Sequence, residues 1–145
     1  MFTHILVPVD GSPTAAVAVN KAAALAKVFN SQVTAVYVID PYPFTGVGAD
    51  FAYGQAQYLT AATTEAHTAL DAVQTLMEQA GVAVEIVVGV GHSVHNGIME
   101  AAKATGADLI VMGSHGRKGL EKLVLGSVTQ RVLADSLIPV LVVRQ

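Results

Sequence analysis

Five runs rich in valine and isoleucine punctuate the chain: Ile5 to Val9, Val33 to Ile39, Val82 to Val88, Leu109 to Met112 and Val140 to Val143. They are mostly apolar without clean alternation, which is the pattern of strands covered on both faces, as in a parallel sheet. Between them apolar residues recur at helical spacing. Ser12 is placed to cap a helix that Pro13 opens, because proline at the first helical position gives up no needed hydrogen bond. Ala16, Val19, Ala23, Leu25, Ala26 and Phe29 form the apolar side of that helix, with Asn20, Lys21 and Lys27 outside it. A longer helix carries Leu59, Ala62, Ala66, Ala69, Leu70, Val73, Leu76, Met77 and Ala80 and stops at Gly81. A third holds Ile98, Ala101, Ala102 and Thr105 and stops at Gly106, glycine being the usual residue just past a helix end. The last runs from about Ser127 to Ser136, with Val128, Val132 and Leu133 turned inward. Strands alternating with helices in this way predict an α/β fold, a doubly wound five-stranded parallel sheet with four helices on its two faces.

One stretch breaks the rhythm, from Asp40 to about Gln57. It gathers Pro41, Pro43, Gly46, Gly48 and Gly54 with Tyr42, Phe44, Phe51 and Tyr53, and Tyr58 follows just beyond. Irregular segments of that length are uncommon in compact domains and are often functional. A ligand lid and a flap packed over the sheet edge or a partner subunit are both open for it. No internal repeat or linker interrupts the pattern, so the 145 residues are expected to form one domain.

Composition narrows the classes. The chain is 52% hydrophobic but only 13% charged, against a usual charged share of about 25%. So few charges to cover the outside imply that some apolar surface is hidden in an oligomer. A net charge of −3 gives no reason to expect nucleic acid or an anionic membrane as partner. With no cysteine present, disulfides, thiolate zinc sites and cysteine nucleophiles are excluded. The opening Met1-Phe2-Thr3-His4 lacks the basic region of a secretory signal, and the apolar runs are broken before they reach the ~18 residues of a membrane span. A cytoplasmic location is the resulting expectation.

In open α/β sheets ligands bind beyond the carboxyl ends of the strands. Two segments sit there: Pro8-Val9-Asp10-Gly11-Ser12 after the first strand, and Gly113-Ser114-His115-Gly116-Arg117-Lys118-Gly119 after the fourth, leading to Gly126-Ser127-Val128-Thr129. The second has the parts of a phosphate site. Gly113 and Gly116 would let the backbone approach an anion and adopt positive φ. Gly126-Ser127 opens a helix, whose free N–H groups and dipole favour negative charge. Ser127 and Thr129 would add hydroxyl donors. Arg117, Lys118, Lys122 and Arg131 are four of the eight basic residues and lie in or beside this stretch. Turn-forming glycines with Ser127 as a plain helix cap are the simpler alternative, and neither a G-x-G-x-x-G nor a G-x-x-x-x-G-K-[ST] phosphate signature is present.

The full spacing from Gly113 through Gly116 to Gly126-Ser127 reads G-x2-G-x9-G-[ST]. This resembles the ATP-binding branch of the universal stress protein family, and the likeness extends over the whole chain. It includes His4-Ile5-Leu6-Val7-Pro8-Val9-Asp10-Gly11-Ser12, Ala107 to Arg117 and Pro139 to Val143. The resemblance implies an adenine nucleotide alpha hydrolase-like fold with strand order 3-2-1-4-5. It implies that Asp10 contacts the adenosine, that Pro8 and Val9 line its pocket, and that Val38 meets adenine through its backbone. Gly113, Gly116, Gly126, Ser127, Val128 and Thr129 would hold ribose and phosphates, with Arg117 beside them. It further implies ATP (or ADP or AMP) as ligand, Mg²⁺ or Mn²⁺ held by the phosphates, a stress-regulatory role, and a homodimer through Val140 to Val143. One segment departs from the family, Gly89-Val90-Gly91-His92-Ser93-Val94-His95-Asn96-Gly97-Ile98, where relatives carry a proline-acidic helix start.

Other constellations are weaker. Asp10 as a phosphoacceptor would need a second acidic residue beside it, an acceptor Asp after the third strand and a lysine near the fifth, but the third strand ends Val87-Val88-Gly89 and the fifth has no lysine. Asp10 is also suited to be a helix cap. His92 and His95 stand three apart but lack an evident third metal ligand. A slow ATPase or nucleotidyl-transfer enzyme would have Glu121, Ser114 and His115 as its candidate groups, while an interaction module would keep the site only as a vestige. Met77, Met99 and Met112 read as core filler.

Overall fold

The computed structural model describes residues 1–41, 48–115 and 125–144, without the side chains of 49–51. Among the described residues nine elements follow one another: β1 (His4–Pro8), α1 (Pro13–Phe29), β2 (Gln32–Ile39), α2 (Ala49–Gln79), β3 (Val84–Val90), α3 (Val94–Thr105), β4 (Leu109–Gly113), α4 (Ser127–Asp135) and β5 (Val140–Val143). The strands form one parallel sheet in the order β3-β2-β1-β4-β5, the arrangement the resemblance implied. The chain therefore winds outward from β1 to β3, then returns to pair β4 on the other side of β1. That reversal leaves a crevice at the carboxyl ends of β1 and β4.

Alternation along the strands sorts the core into two layers. Ile5, Val7, Val9, Ala35 and Tyr37 join Ala18, Val19, Ala22 of α1 and Ala66, Leu70, Val73, Met77 of α2. Leu6, Val36, Val38, Ile110 and Met112 join Ile98 and Ala102 of α3 and Val132 of α4 on the opposite face. Alanine dominates the buried side of α1, which brings that helix close to the sheet. Closeness also explains Gly113. A Cβ there would sit 2.6 Å from Thr14 Cγ2 and 3.1 Å from its carbonyl carbon. Positive φ is not the reason for this glycine, since among the described residues the glycines with positive φ are Gly11, Gly48, Gly81 and Gly106.

Several expectations shift. The second half of the expected Asp40 to Gln57 loop is helical from Ala49 onward, while residues 42–47 lie outside the described ones. Tyr58 supports the early α2 start by donating its hydroxyl to the Asp40 carbonyl at 2.9 Å, so tertiary anchoring outweighs the local glycine and aromatic content. Leu133 is 42% exposed rather than inward, because the buried stripe of α4 passes through Thr129 and Val132. Ala16 is half-buried, and Thr14, Ala15, Ala18 and Ala22 carry more of the covered side of α1. Strands β3 and β5 are only partly covered because they stand at the sheet edges.

A clamp ties the start of β1 to the turn before β4. Asp108 accepts the N–H of Thr3 at 2.9 Å, that of His4 at 2.9 Å and the Thr3 hydroxyl at 3.1 Å. These bonds, the Thr3 N–H foremost, hold its carboxyl below the ordinary value of 3.8. A carboxyl depressed in the folded state adds stability above its unfolded pKa and loses it as pH falls through the folded one. Asp108→Asn is expected to lower stability at neutral pH, modestly because water screens the group, and to flatten the decline on acidification. Urea melts from roughly pH 5 down to pH 2 check this, and parallel acid slopes for the two proteins would refute it.

Candidate functional site

The loop after β1 is built by its own side chains. The Val9 N–H still reaches the Val36 carbonyl at 2.9 Å, after which Gly11 takes φ +81° and turns the chain into α1. Asp10 Oδ1 accepts the Ser12 N–H at 2.9 Å, and Ser12 Oγ accepts the Ala15 N–H at 3.2 Å. Ser12 is thus the helix cap, as its sequence position predicts, and Asp10 fixes the loop one step earlier.

The loop after β4 is tied to α4 and β5. The Ser114 N–H donates to the Val143 carbonyl at 2.9 Å, and the Ser114 carbonyl accepts the Gly126 N–H at 2.7 Å. The Thr129 hydroxyl donates to the Gly113 carbonyl at 2.9 Å. Thr129 has therefore committed its hydroxyl proton to the fold, which corrects its expected role as a free hydroxyl donor. Gly126 occupies the N-cap with φ −63° and ψ 155° and without a side-chain cap. The N–H groups that follow it at the start of α4 lack intrahelical partners, as at any helix start.

These two loops face one cavity of about 670 Å³, a size typical of small-molecule sites. Of the residues singled out in the sequence, Pro8, Val9, Asp10, Val38, Gly113, Gly126, Ser127, Val128 and Thr129 all line it. Gly116 and Arg117, with Lys118, Gly119, Glu121 and Lys122, lie outside the described residues. Arg131 is exposed on α4. The cavity also takes in Ser12, Ala15, Tyr37, Val94, Ile98, Met112 and His115. Met112 is core filler as expected, 5% exposed, yet it presents to the cavity as well. Val94 and Ile98 belong to α3, whose start was the segment departing from the family pattern. Ser93 caps that helix by accepting the Asn96 N–H at 3.3 Å, doing the work of the missing proline-acidic start.

His92 and His95 do not converge. His92 is exposed, whereas His95 Nδ1 lies 3.1 Å from Ser93 Oγ and Nε2 lies 3.7 Å from Asp135 Oδ2, bridging α3 to α4. Among the described residues no three His, Cys, Asp or Glu side chains group to hold a metal ion. No helix among them is long and apolar enough to cross a membrane.

Comparison with known proteins agrees with this layout. The model of the universal stress protein family matches residues 1–144. The universal stress protein MJ0531 of Methanocaldococcus jannaschii is 38% identical over 100% of this chain and 84% of its own length. The solved structure of MJ0577, a universal stress protein of the same organism, superposes with a TM-score of 0.86 at 32% identity, covering 100% of this chain and 97% of that one. A universal stress protein solved in complex with cAMP superposes with a TM-score of 0.73 at 26% identity, covering 98% and 97%. With the family match running almost end to end over a sheet of the implied strand order, this chain belongs to the universal stress protein family.

Proposed function

We propose that the chain binds ATP in the cavity at the strand ends and acts as a homodimeric, nucleotide-responsive regulator in stress adaptation. One observation carries the reading: a single cavity has the Asp10 carboxylate on one loop and the opening turn of α4, Gly126 to Thr129, on another. A carboxylate suits ribose or adenosine donors, and a helix N-terminus suits phosphate. Pro8, Val9 and Val38 supply apolar surface for the base, and the space beside Gly113 and Gly126 leaves room for ribose and phosphates. In this reading Gly116 and Arg117 complete the phosphate end, and Mg²⁺ or Mn²⁺ is held by the phosphates. The relative solved with cAMP supports an adenine nucleotide as the ligand class. The reading puts the protein in the cytoplasm, where adenine nucleotides are abundant.

Mass spectrometry of the small molecules released on denaturing freshly purified protein is the direct test, with ATP or ADP expected near one per chain. Added ATP with Mg²⁺ at a hundred times its Kd should stabilise the fold by about 2.7 kcal/mol. A protein that releases no nucleotide and melts identically with and without ATP would overturn the reading.

The homodimer rests on the sheet edge. β5 is an edge strand, Leu141 within it is 40% exposed, and Leu137 just before it is 99% exposed. An open apolar edge invites strand pairing and aggregation, which a second copy aligned along Val140 to Val143 prevents. Sedimentation of the purified protein at the mass of a single chain would refute it.

A further inference from the structure

Helices α1 and α2 pack on the same face of the sheet, and between them runs a second cavity of about 410 Å³. Its cause is side-chain size. Neighbouring helices stand about 8–10 Å apart, a gap that interdigitating leucine or isoleucine closes. Here Ala15 and Ala16 of α1 and Ala69 and Ala72 of α2 line the gap, and four methyl groups leave it open. Ala72 is exposed and Ala16, Ala69 and Leu76 are half-buried, so the apolar walls of the cleft meet water. Covering such surface is favourable. Val9, Ser12 and Ala15 also border the cavity at the strand ends, but no described residue of α2 does.

The cleft is polar at one end. Ser12 precedes Ala15 and Val19 at α1, and Thr64, Glu65 and Thr68 precede Ala72 and Leu76 along α2. Both helices cross between neighbouring strands of one parallel sheet, so they run in the same sense and these polar residues share an end. The α2 side of that end offers acceptors. The Thr64 hydroxyl donates to the Thr60 carbonyl and the Thr68 hydroxyl to the Thr64 carbonyl, both at 3.0 Å, which leaves each oxygen only its lone pairs for a further group. Glu65 is the one charged side chain among the described lining residues, and an ionised carboxylate accepts without donating. An occupant therefore needs a hydrocarbon body for the alanine walls and a donor, best a cationic one, for the polar end. We propose that this cleft is a second small-molecule site, one that takes a protonated alkyl amine: the ammonium group meets Thr64, Glu65 and Thr68, and the chain lies along Ala72 toward Leu76. The site stands apart from the nucleotide reading, since Glu65 and Ala72 line this cleft and not the other cavity.

Calorimetric titration of octylamine, octanol and octanoate into the purified protein at neutral pH, each kept monomeric, tests it. Octylamine is expected to bind at one per chain and about fivefold more tightly than octanol, the scale of an exposed ion pair, with octanoate weaker still. Glu65→Gln should bring octylamine down to the octanol affinity, and salt at about 1 M should remove most of the same preference in the wild type. Ala72→Leu, at an exposed position, fills the cleft and should weaken all three ligands by about tenfold. Octylamine and octanoate binding alike, or a wild-type preference kept in Glu65→Gln, would overturn the proposal. Octylamine affinity unchanged in Ala72→Leu would place the ligand elsewhere and overturn it too, as would wild-type protein that binds none of the three. Should Glu65→Gln fail to fold, Thr68→Val carries the comparison: it removes one acceptor and should weaken octylamine while sparing octanoate. ATP titration of the same protein reads the nucleotide site separately, so either site can fail without the other.

Discussion

Gly126→Val is expected to leave the protein folded and to weaken ATP binding by up to roughly a hundredfold. The two halves of that expectation have separate causes. At φ −63° and ψ 155° Gly126 lies in an extended region that valine adopts without strain, and its N–H bond to the Ser114 carbonyl is kept because valine retains the N–H. The residue nonetheless lines the cavity at the start of α4, where the proposed phosphate would meet free N–H groups. A branched side chain there takes space that a phosphate needs and pushes the anion away from those donors. Overpacking of this kind costs about 1–3 kcal/mol, and at its upper end it corresponds to roughly a hundredfold in Kd. Circular dichroism and a melting curve establish the fold, and ATP titration measures the loss. Wild-type affinity in a folded Gly126→Val protein would remove this segment from the site.

The second large effect concerns stability. Gly97 lies on the buried side of α3, and a Cβ built there lands on Val38 Cγ1, nearer than real Cβ atoms approach, and 3.0 Å from Val38 Cγ2. Val38 is 8% exposed on β2, so it has little room to yield. Gly97→Val should therefore lift α3 from the sheet and cost about 3 kcal/mol, less a few tenths for replacing a poor helix former. For a protein of this size that is roughly a 10 °C fall in Tm. Trimming the partner should restore part of the loss, so that Gly97→Val with Val38→Ala is more stable than the sum of the single variants predicts. An unchanged urea midpoint in Gly97→Val, or strictly additive losses in the pair, would refute the close-contact explanation. Since Val38 and Ile98 both line the cavity, the same variant should also weaken nucleotide binding.

Particular residues mark how far local reasoning reaches. Ser12 with Pro13, Gly81 after α2 and Gly106 after α3 are local signals, since capping and left-handed turns depend on a few neighbouring residues. They delimit helices correctly from composition alone. The start of α2 is different: Gly48, Gly54, Phe51 and Tyr53 argue for a loop, and a helix begins at Ala49 all the same. Part of what supports it is a bond from Tyr58 to the carbonyl of Asp40, eighteen residues back, which no short window contains. Leu133 is exposed against its local pattern for a related reason: in a nine-residue helix the covered stripe is set by where α4 meets α3 and β5.

The order of strands and helices is legible along the chain, because burial on both faces writes valine and isoleucine runs and helix ends write their own punctuation. Through the family resemblance that its glycine spacing carries, it also marked nine residues that line one cavity: Pro8, Val9, Asp10, Val38, Gly113, Gly126, Ser127, Val128 and Thr129. What several of them are for depends on contacts between segments far apart in the chain. Gly113 is glycine because Thr14 crosses β4 at close range, and Thr129 spends its hydroxyl on Gly113. Tyr37, Ile98 and His115 enter the cavity from elements far apart in the chain. Whether a polar atom such as His115 Nε2 is buried, and without a partner among the described residues, depends on everything packed around it, and that is a property of the folded chain alone.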